Sequence, residues 1–234
     1  MLKNLDKNAV HVFHADIGTN GPINLEHCWA ILGEAERARA KRFRYDLHRE
    51  RYVRAHGQLR QILAHYLGQP DNAVEIETEQ GGKPFLTCRD LHFNMSHSAD
   101  TAVFGISEEG HIGIDVELFD RRVEVDELSA HYYTGAEQET LAALQTQERH
   151  EVFFWLWTAK EARMKLTGEG LALDPRKIDV AVEAGRPHSY RMPTEPAAHL
   201  AAVDLDGLAG ACTVAGLREI YCDVKSIEDL PVRF

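Results

Sequence analysis

Apolar and polar residues alternate over residues 9–15 (AVHVFHA), the two-residue period of a strand. The period then lengthens. Over residues 26–67 alanine, arginine, leucine and glutamate dominate, and Leu59, Ile62, Leu63 and Tyr66 recur at helical spacing, which predicts a long helical region. Gly68-Gln69-Pro70 closes it, as glycine and proline after a last apolar turn should. A short strand is predicted at 75–78, a loop at Gln80-Gly81-Gly82-Lys83-Pro84, and strands at 91–95, 101–106 and 111–118. The order then repeats. Helices are predicted at 135–144 and 149–166, a stop at Gly168-Glu169-Gly170, and strands near 177–182, 189–192, 199–205 and 209–215.

A helical block followed by antiparallel-looking strands, twice over, predicts an α+β fold. The expected architecture is a pseudo-dimer of two similar subdomains, each a long helix packed on a small, mainly antiparallel sheet. The division is expected after Leu118, giving 1–118 and 119–234. The halves share no evident sequence identity, so the symmetry is one of element order.

At 234 residues, 44% of them hydrophobic, the chain can bury a sizeable core. No apolar run reaches the roughly 18 residues of a membrane span. The N-terminal stretch Met1–Lys7 lacks the apolar core of a signal peptide, so a cytoplasmic, monomeric protein with no membrane partner is expected. Cys28, Cys88, Cys212 and Cys222 are scattered without a C-x-x-C pair, which speaks for packing rather than zinc. The net charge of −11 disfavours nucleic acid as a partner. Yet the charge is uneven. Arg37, Arg39, Lys41, Arg42, Arg44, Arg49, Arg51, Arg54 and Arg60 are relieved only by Asp46 and Glu50. Such a local basic surface suits one particular anion, although a solvated helix face would carry the same pattern.

The candidate chemistry lies in three places. In Gly113-Ile114-Asp115-Val116-Glu117 the carboxylates stand two apart, so on a strand they share one face while Ile114, Val116 and Leu118 take the other. Their repulsion is relieved by a hard divalent cation, and magnesium commonly takes one or two carboxylates plus phosphate oxygens. In Trp157-Thr158-Ala159-Lys160-Glu161-Ala162-Arg163-Met164-Lys165, Glu161 and Lys165 share a helix face, while Lys160 sits about 100° round from Glu161 and serves either a bound molecule or a buried ion pair. Phe153, Phe154, Trp155 and Trp157 predict a packed helix end beside these charges. The third place is Gly81-Gly82-Lys83-Pro84, where glycine permits close backbone approach and lysine offers a point charge, followed by Phe93-Asn94-Met95-Ser96-His97-Ser98. No acid at suitable spacing makes a serine triad of these residues.

Together these segments resemble the larger, single-chain, surfactin-type class of 4′-phosphopantetheinyl transferases. The family pattern G-x-D-x-E is met by Gly113, Asp115 and Glu117, and W-x-x-K-E-[AS]-x-x-K by Trp157, Lys160, Glu161, Ala162 and Lys165. The upstream G-K-P and F-N-x-S-H-S elements are met by Gly82-Lys83-Pro84 and by Phe93, Asn94, Ser96, His97 and Ser98. The basic stretch with Arg42-Phe43 and Arg51-Tyr52-Val53 is similar to the family's N-terminal helix. The likeness spans about residues 9–182 in order; the final 50 residues carry no such signature.

The resemblance implies coenzyme A as donor, an apo acyl or peptidyl carrier protein as acceptor, and magnesium as cofactor. A carrier serine would attack the β-phosphate and 3′,5′-ADP would leave. Asp115, Glu117 and Glu161 would hold the metal. Glu161 would act as base, with Lys165 and His97 beside it as catalytic residues. Arg51, Arg39, Gly82, Lys83, Pro84, Ser96, His97, Lys160 and Lys165 would bind coenzyme A. Two other readings use the same residues: a magnesium-dependent phosphoesterase with water as nucleophile, and a non-catalytic binder of coenzyme A or a carrier protein.

Overall fold

The structure, a computed structural model, describes residues 9–79, 81–87, 91–108, 110–120, 122–191, 197–216 and 221–227. Gln80, Cys88, Met192 and the N-terminal stretch read above lie outside the described residues.

Strand β1 (Ala9–Asp16) is buried on both sides. The helical region expected over 26–67 is divided into three helices: α1 (Leu25–Ile31), α2 (Glu34–Ala40) and α3 (Asp46–Leu67). Asn24 caps α1 by accepting from His27 N–H, and the backbone turns extended at Leu32 and Gly33. The break is fixed from afar. Glu36 takes Gly33 N–H at 2.8 Å while Arg60, on α3, holds the same carboxylate oxygen at 2.6 Å. Local periodicity carries no trace of such a contact, because it joins residues far apart in sequence.

After α3 come β2 (Ile76–Thr78), β3 (Pro84–Leu86), β4 (His92–Ser98), β5 (Thr101–Ser107) and β6 (Ile112–Leu118). Then follow α4 (Val125–Tyr132), which the sequence pattern did not predict, α5 (Gly135–Ala142) and α6 (Thr146–Thr167). Strands β7 (Val180–Glu183), β8 (Arg186–Tyr190), β9 (Ala198–Ala202), β10 (Leu208–Ala215) and β11 (Tyr221–Ser226) complete the described chain.

The fold is α+β and layered. Both long helices, α3 and α6, run 22 residues and end on a left-handed glycine, Gly68 and Gly168. Helix α3 packs Leu59, Ile62, Leu63 and Tyr66 on a four-stranded sheet of order β11-β1-β5-β4. Helix α6 packs on a three-stranded antiparallel sheet, β6-β10-β9. Between the sheets lies a third core, in which Val10, Val12 and Val103 meet Ile112, Ile114, Val116 and Cys212. Two hairpins, β2–β3 and β7–β8, stand outside these sheets.

Strand pairing crosses the division expected at residue 118. Strand β6, which precedes it, pairs with β10, and β11 returns to lie parallel to β1. Among the described residues no helix is long and apolar enough to cross a membrane.

Candidate active site

Helix α6 lies close against β6, and Gly113 is the reason it can. A Cβ there would stand 1.9 Å from the Ala162 carbonyl oxygen and 2.6 Å from the Leu166 nitrogen. Ile114 and Val116 turn into the core between the sheets. Asp115 and Glu117 turn the other way, toward Glu161 and Lys165. The two-residue period of β6 therefore meets the four-residue period of α6 in one cluster.

Strand β4 dresses the same edge. Asn94 Oδ1 accepts Ile114 N–H at 2.9 Å, Ser96 Oγ donates to Asp115 Oδ1 at 2.7 Å, and Ser98 Oγ donates to Glu117 Oε2 at 2.9 Å. Ser98 Oγ also accepts Leu118 N–H at 3.3 Å. These side chains stand at i, i+2 and i+4, the spacing that puts them on one strand face. Asn94 was not among the expected site residues, though that spacing with Ser96 and Ser98 could have found it.

Lys165 Nζ donates to Asp115 Oδ1 at 2.7 Å, to Ser96 Oγ at 2.8 Å and to the Ile114 carbonyl at 3.3 Å. Asp115 is 5% exposed, and burial, with Glu117 adding to it, pushes its carboxyl up against the pull of Lys165 and Ser96. Its second oxygen, Oδ2, is buried with no hydrogen-bond partner among the described residues. Glu161 is also pushed up, first by burial and then by Asp115.

Two cavities share Glu117 on their walls. The larger, about 1050 Å³, is lined by Arg39, Arg51, Tyr52, His56, Gly82, Pro84, Ser96, His97, Ser98, Glu117 and Lys165, among others. The smaller, about 460 Å³, joins Asp115, Glu117 and Glu161 to Val123, Leu128, Tyr132, Phe153, Phe154 and Trp157. Part of that aromatic cluster lines a cavity rather than only packing a helix end, and α4 supplies its far wall. In the larger cleft the surrounding protein, then Lys165, His56 and Arg51, hold the His97 imidazole below its ordinary pKa. Arg51 is anchored to Asp100 Oδ1 at 2.7 Å, and Arg39 lies over the Tyr52 ring at 5.6 Å.

Two expected contacts with coenzyme A give way to structural ones. Lys160 is fully buried, paired with Glu137 at 2.8 Å, and donates to the carbonyls of Pro175 (2.8 Å) and Ile178. Of the two roles its helix position allowed, it takes the ion pair. Lys83 is 9% exposed and gives its ammonium protons to three backbone carbonyls, while its neighbours Gly82 and Pro84 line the cleft. Gly82 and Pro84 face the cleft, but the lysine between them points into the protein.

Among the described residues no three histidine, cysteine or acidic side chains are gathered closely enough to grip an ion. The donor set nevertheless suits magnesium. Asp115, Glu117 and Glu161 carry hard oxygen donors on one cavity wall, and Asp115 Oδ2 is a buried oxygen with no partner among the described residues.

Residues 111–215 match the family model described as the 4′-phosphopantetheinyl transferase superfamily, and residues 22–109 match that of the 4′-phosphopantetheinyl transferase N-terminal region. The chain is similar to 4′-phosphopantetheinyl transferase HetI of Nostoc sp. (strain PCC 7120), at 35% identity over 197 residues that cover 82% of each protein. It is 28% identical to 4′-phosphopantetheinyl transferase psf-1 of Bacillus pumilus, covering 76% of each. With 4′-phosphopantetheinyl transferase Sfp of Bacillus subtilis (strain 168) it shares 24% identity, over 72% of this chain and 74% of that one. Among solved structures, a holo-(acyl-carrier-protein) synthase from Bacillus anthracis in complex with coenzyme A (3′,5′-ADP) matches with a TM-score of 0.40 and 26% identity, covering 45% of this chain and 94% of that one.

Proposed function

The chain belongs to the 4′-phosphopantetheinyl transferase superfamily, and from that membership we propose that it moves phosphopantetheine from coenzyme A to a serine of an apo acyl or peptidyl carrier protein, with magnesium, releasing 3′,5′-ADP. One observation carries the reading: Asp115, Glu117, Glu161 and Lys165 converge on the walls of a basic cleft and an aromatic cavity that share Glu117.

The larger cleft has room for a nucleotide, with Arg39, Arg51, His97 and Lys165 on its walls to meet phosphate. Glu161, its carboxyl raised by burial and by Asp115, is the proton acceptor for the attacking hydroxyl. Lys165 brings a fixed positive charge to the oxygens on which negative charge grows. Asp115 and Ser96 hold that lysine in place. His97, on the same wall, offers the phosphates a hydrogen bond. Asp115, Glu117 and Glu161 would hold magnesium, which supplies Lewis-acid stabilisation of phosphate oxygens when bound. Phosphoryl transfer asks mainly for positioning and charge neutralisation, which is what these residues are arranged to give.

The test is intact-mass spectrometry of a panel of apo acyl and peptidyl carrier proteins incubated with the protein, coenzyme A and magnesium. The expected result is a gain of one phosphopantetheine on a carrier, lost when EDTA removes the metal. Consumption of coenzyme A without that gain would make the protein a phosphoesterase. Binding of coenzyme A without turnover would make it a non-catalytic binder.

A further inference from the structure

We propose that Lys83 is a positioning residue whose ammonium group fastens the last turn of α6 to the start of β6 and so sets where Lys165 stands. The proposal rests on the transfer reading above. Lys83 Nζ donates to the Ile112 carbonyl at 2.9 Å on β6, and to the carbonyls of Lys165 at 2.9 Å and Leu166 at 2.6 Å on α6. Three acceptors use all three ammonium protons, leaving none for a phosphate. The two helical acceptors belong to the last turn, whose carbonyls lack intrahelical partners and form the negative end of the helix dipole.

The geometry is specific to the catalytic lysine. One of the three carbonyls gripped is that of Lys165 itself, whose side chain reaches Asp115 and Ser96. A second, Ile112, begins the strand that carries Asp115. The turn that delivers Lys83 is closed on itself: Gly82 N–H donates to the Glu79 carbonyl at 2.8 Å and Glu79 N–H to that of Lys83 at 2.9 Å. Gly82 takes φ +87° there, a conformation costly to other residues. The lysine thus enters the protein beside these backbone bonds and ties two elements at the residues from which the charged cluster projects.

Lys83→Met keeps the stem and removes the donors. Steady-state transfer to an apo acyl carrier protein, with coenzyme A and magnesium, is measured for the wild type, Lys83→Met, Lys165→Ala and the double variant. Lys83→Met is expected to lower kcat about tenfold or more, with KM for coenzyme A changed less than about twofold. In the Lys165→Ala background the same substitution is expected to change kcat less than about threefold, because the residue it positions is gone. Effects that multiply in the double variant would overturn the proposal. So would a raised KM at unchanged kcat, which would make Lys83 a coenzyme A contact, or a lower Tm at unchanged kcat, which would leave it a stabilising residue only. If Lys83→Met does not fold, Lys83→Gln, which retains an amide donor, carries the same cycle. A wild type that loads no carrier in the panel overturns the transfer reading, whereas a working wild type with an additive cycle overturns this proposal alone.

Discussion

Asp115 is held by one oxygen and not by the other: Oδ1 takes Lys165 and Ser96, while Oδ2 is buried with no partner among the described residues. A buried acceptor left unpaired costs stability, and an ionised one costs more. The raised carboxyl has the same meaning. The folded protein keeps this proton to a higher pH than the unfolded chain does, so the ionised form opposes folding near neutrality. Asp115→Asn keeps an oxygen for Lys165 and Ser96 and removes the charge. It is expected to cut transfer by about a hundredfold or more while leaving Tm within about 3 °C, as thermal unfolding would measure. A cooperative loss of structure instead would make Asp115 a structural residue.

Lys83 shows the complementary sign. Burial lowers its pKa from 10.5 to about 8, so between those values the unfolded chain binds the proton more readily than the folded one. Stability contributed at this position therefore rises with pH across that window, by an amount on the order of 3 kcal/mol at most. Urea unfolding of the wild type and of Lys83→Met, compared from about pH 8 to about pH 10.5, should show the difference between them growing in favour of the wild type. A constant difference would mean that Lys83 titrates normally.

At the scale of elements, α6 is fixed at two points by lysines that sequence reasoning assigned to coenzyme A. Lys160 meets Glu137, and that carboxylate also caps α5 by taking Thr134 N–H at 2.8 Å and reaches Val180 N–H on β7 at 2.8 Å. One buried pair so joins α5, α6 and β7, one residue before Glu161. Removing one partner strands a buried charge, which costs about 3–5 kcal/mol. Glu137→Gln and Lys160→Met are each expected to destabilise by that order in urea unfolding, and Glu137→Gln with Lys160→Met by less than their sum. Full additivity would mean that the two side chains do not depend on each other.

This is also where legibility in the sequence ran out. Spacing alone put Asp115 and Glu117 on one face and Glu161 with Lys165 on another, because strand and helix periods are local properties. Arg39, Arg51, Gly82, Pro84, Ser96, His97 and Lys165 all line one cleft. Whether a lysine points to solvent or into a ring of carbonyls depends on residues far away, as with Lys83 and Leu166 or Lys160 and Pro175. The same is true of the break before α2, held by Arg60; α4 is no shorter than α5 but lacks its capping signal, Glu124 standing where α5 has Thr134.

For the whole molecule, two similar halves were expected to meet at residue 118, yet their strands are exchanged across that point. Strand β6 lies before it and serves the second sheet; β11 lies after it and extends the first. The consequence is functional as well as topological. Asp115 and Glu117 sit on the exchanged strand, and Glu161 and Lys165 on the helix packed against it, so the cluster forms only when both halves are folded together. A fragment of residues 119–234 would lack the partner of β10 and expose Ala209, Ala211 and Cys212 on an unpaired edge. A fragment of residues 1–118 would leave Ile112, Ile114 and Val116 without the β10 side of their core. Neither fragment alone is therefore expected to unfold cooperatively in urea. Mixed or co-expressed, the two are expected to recover both a cooperative transition and binding of coenzyme A. Independent cooperative folding of either fragment would mean that the exchanged strands are not needed to close the cores, and that the division at residue 118 is a domain boundary after all.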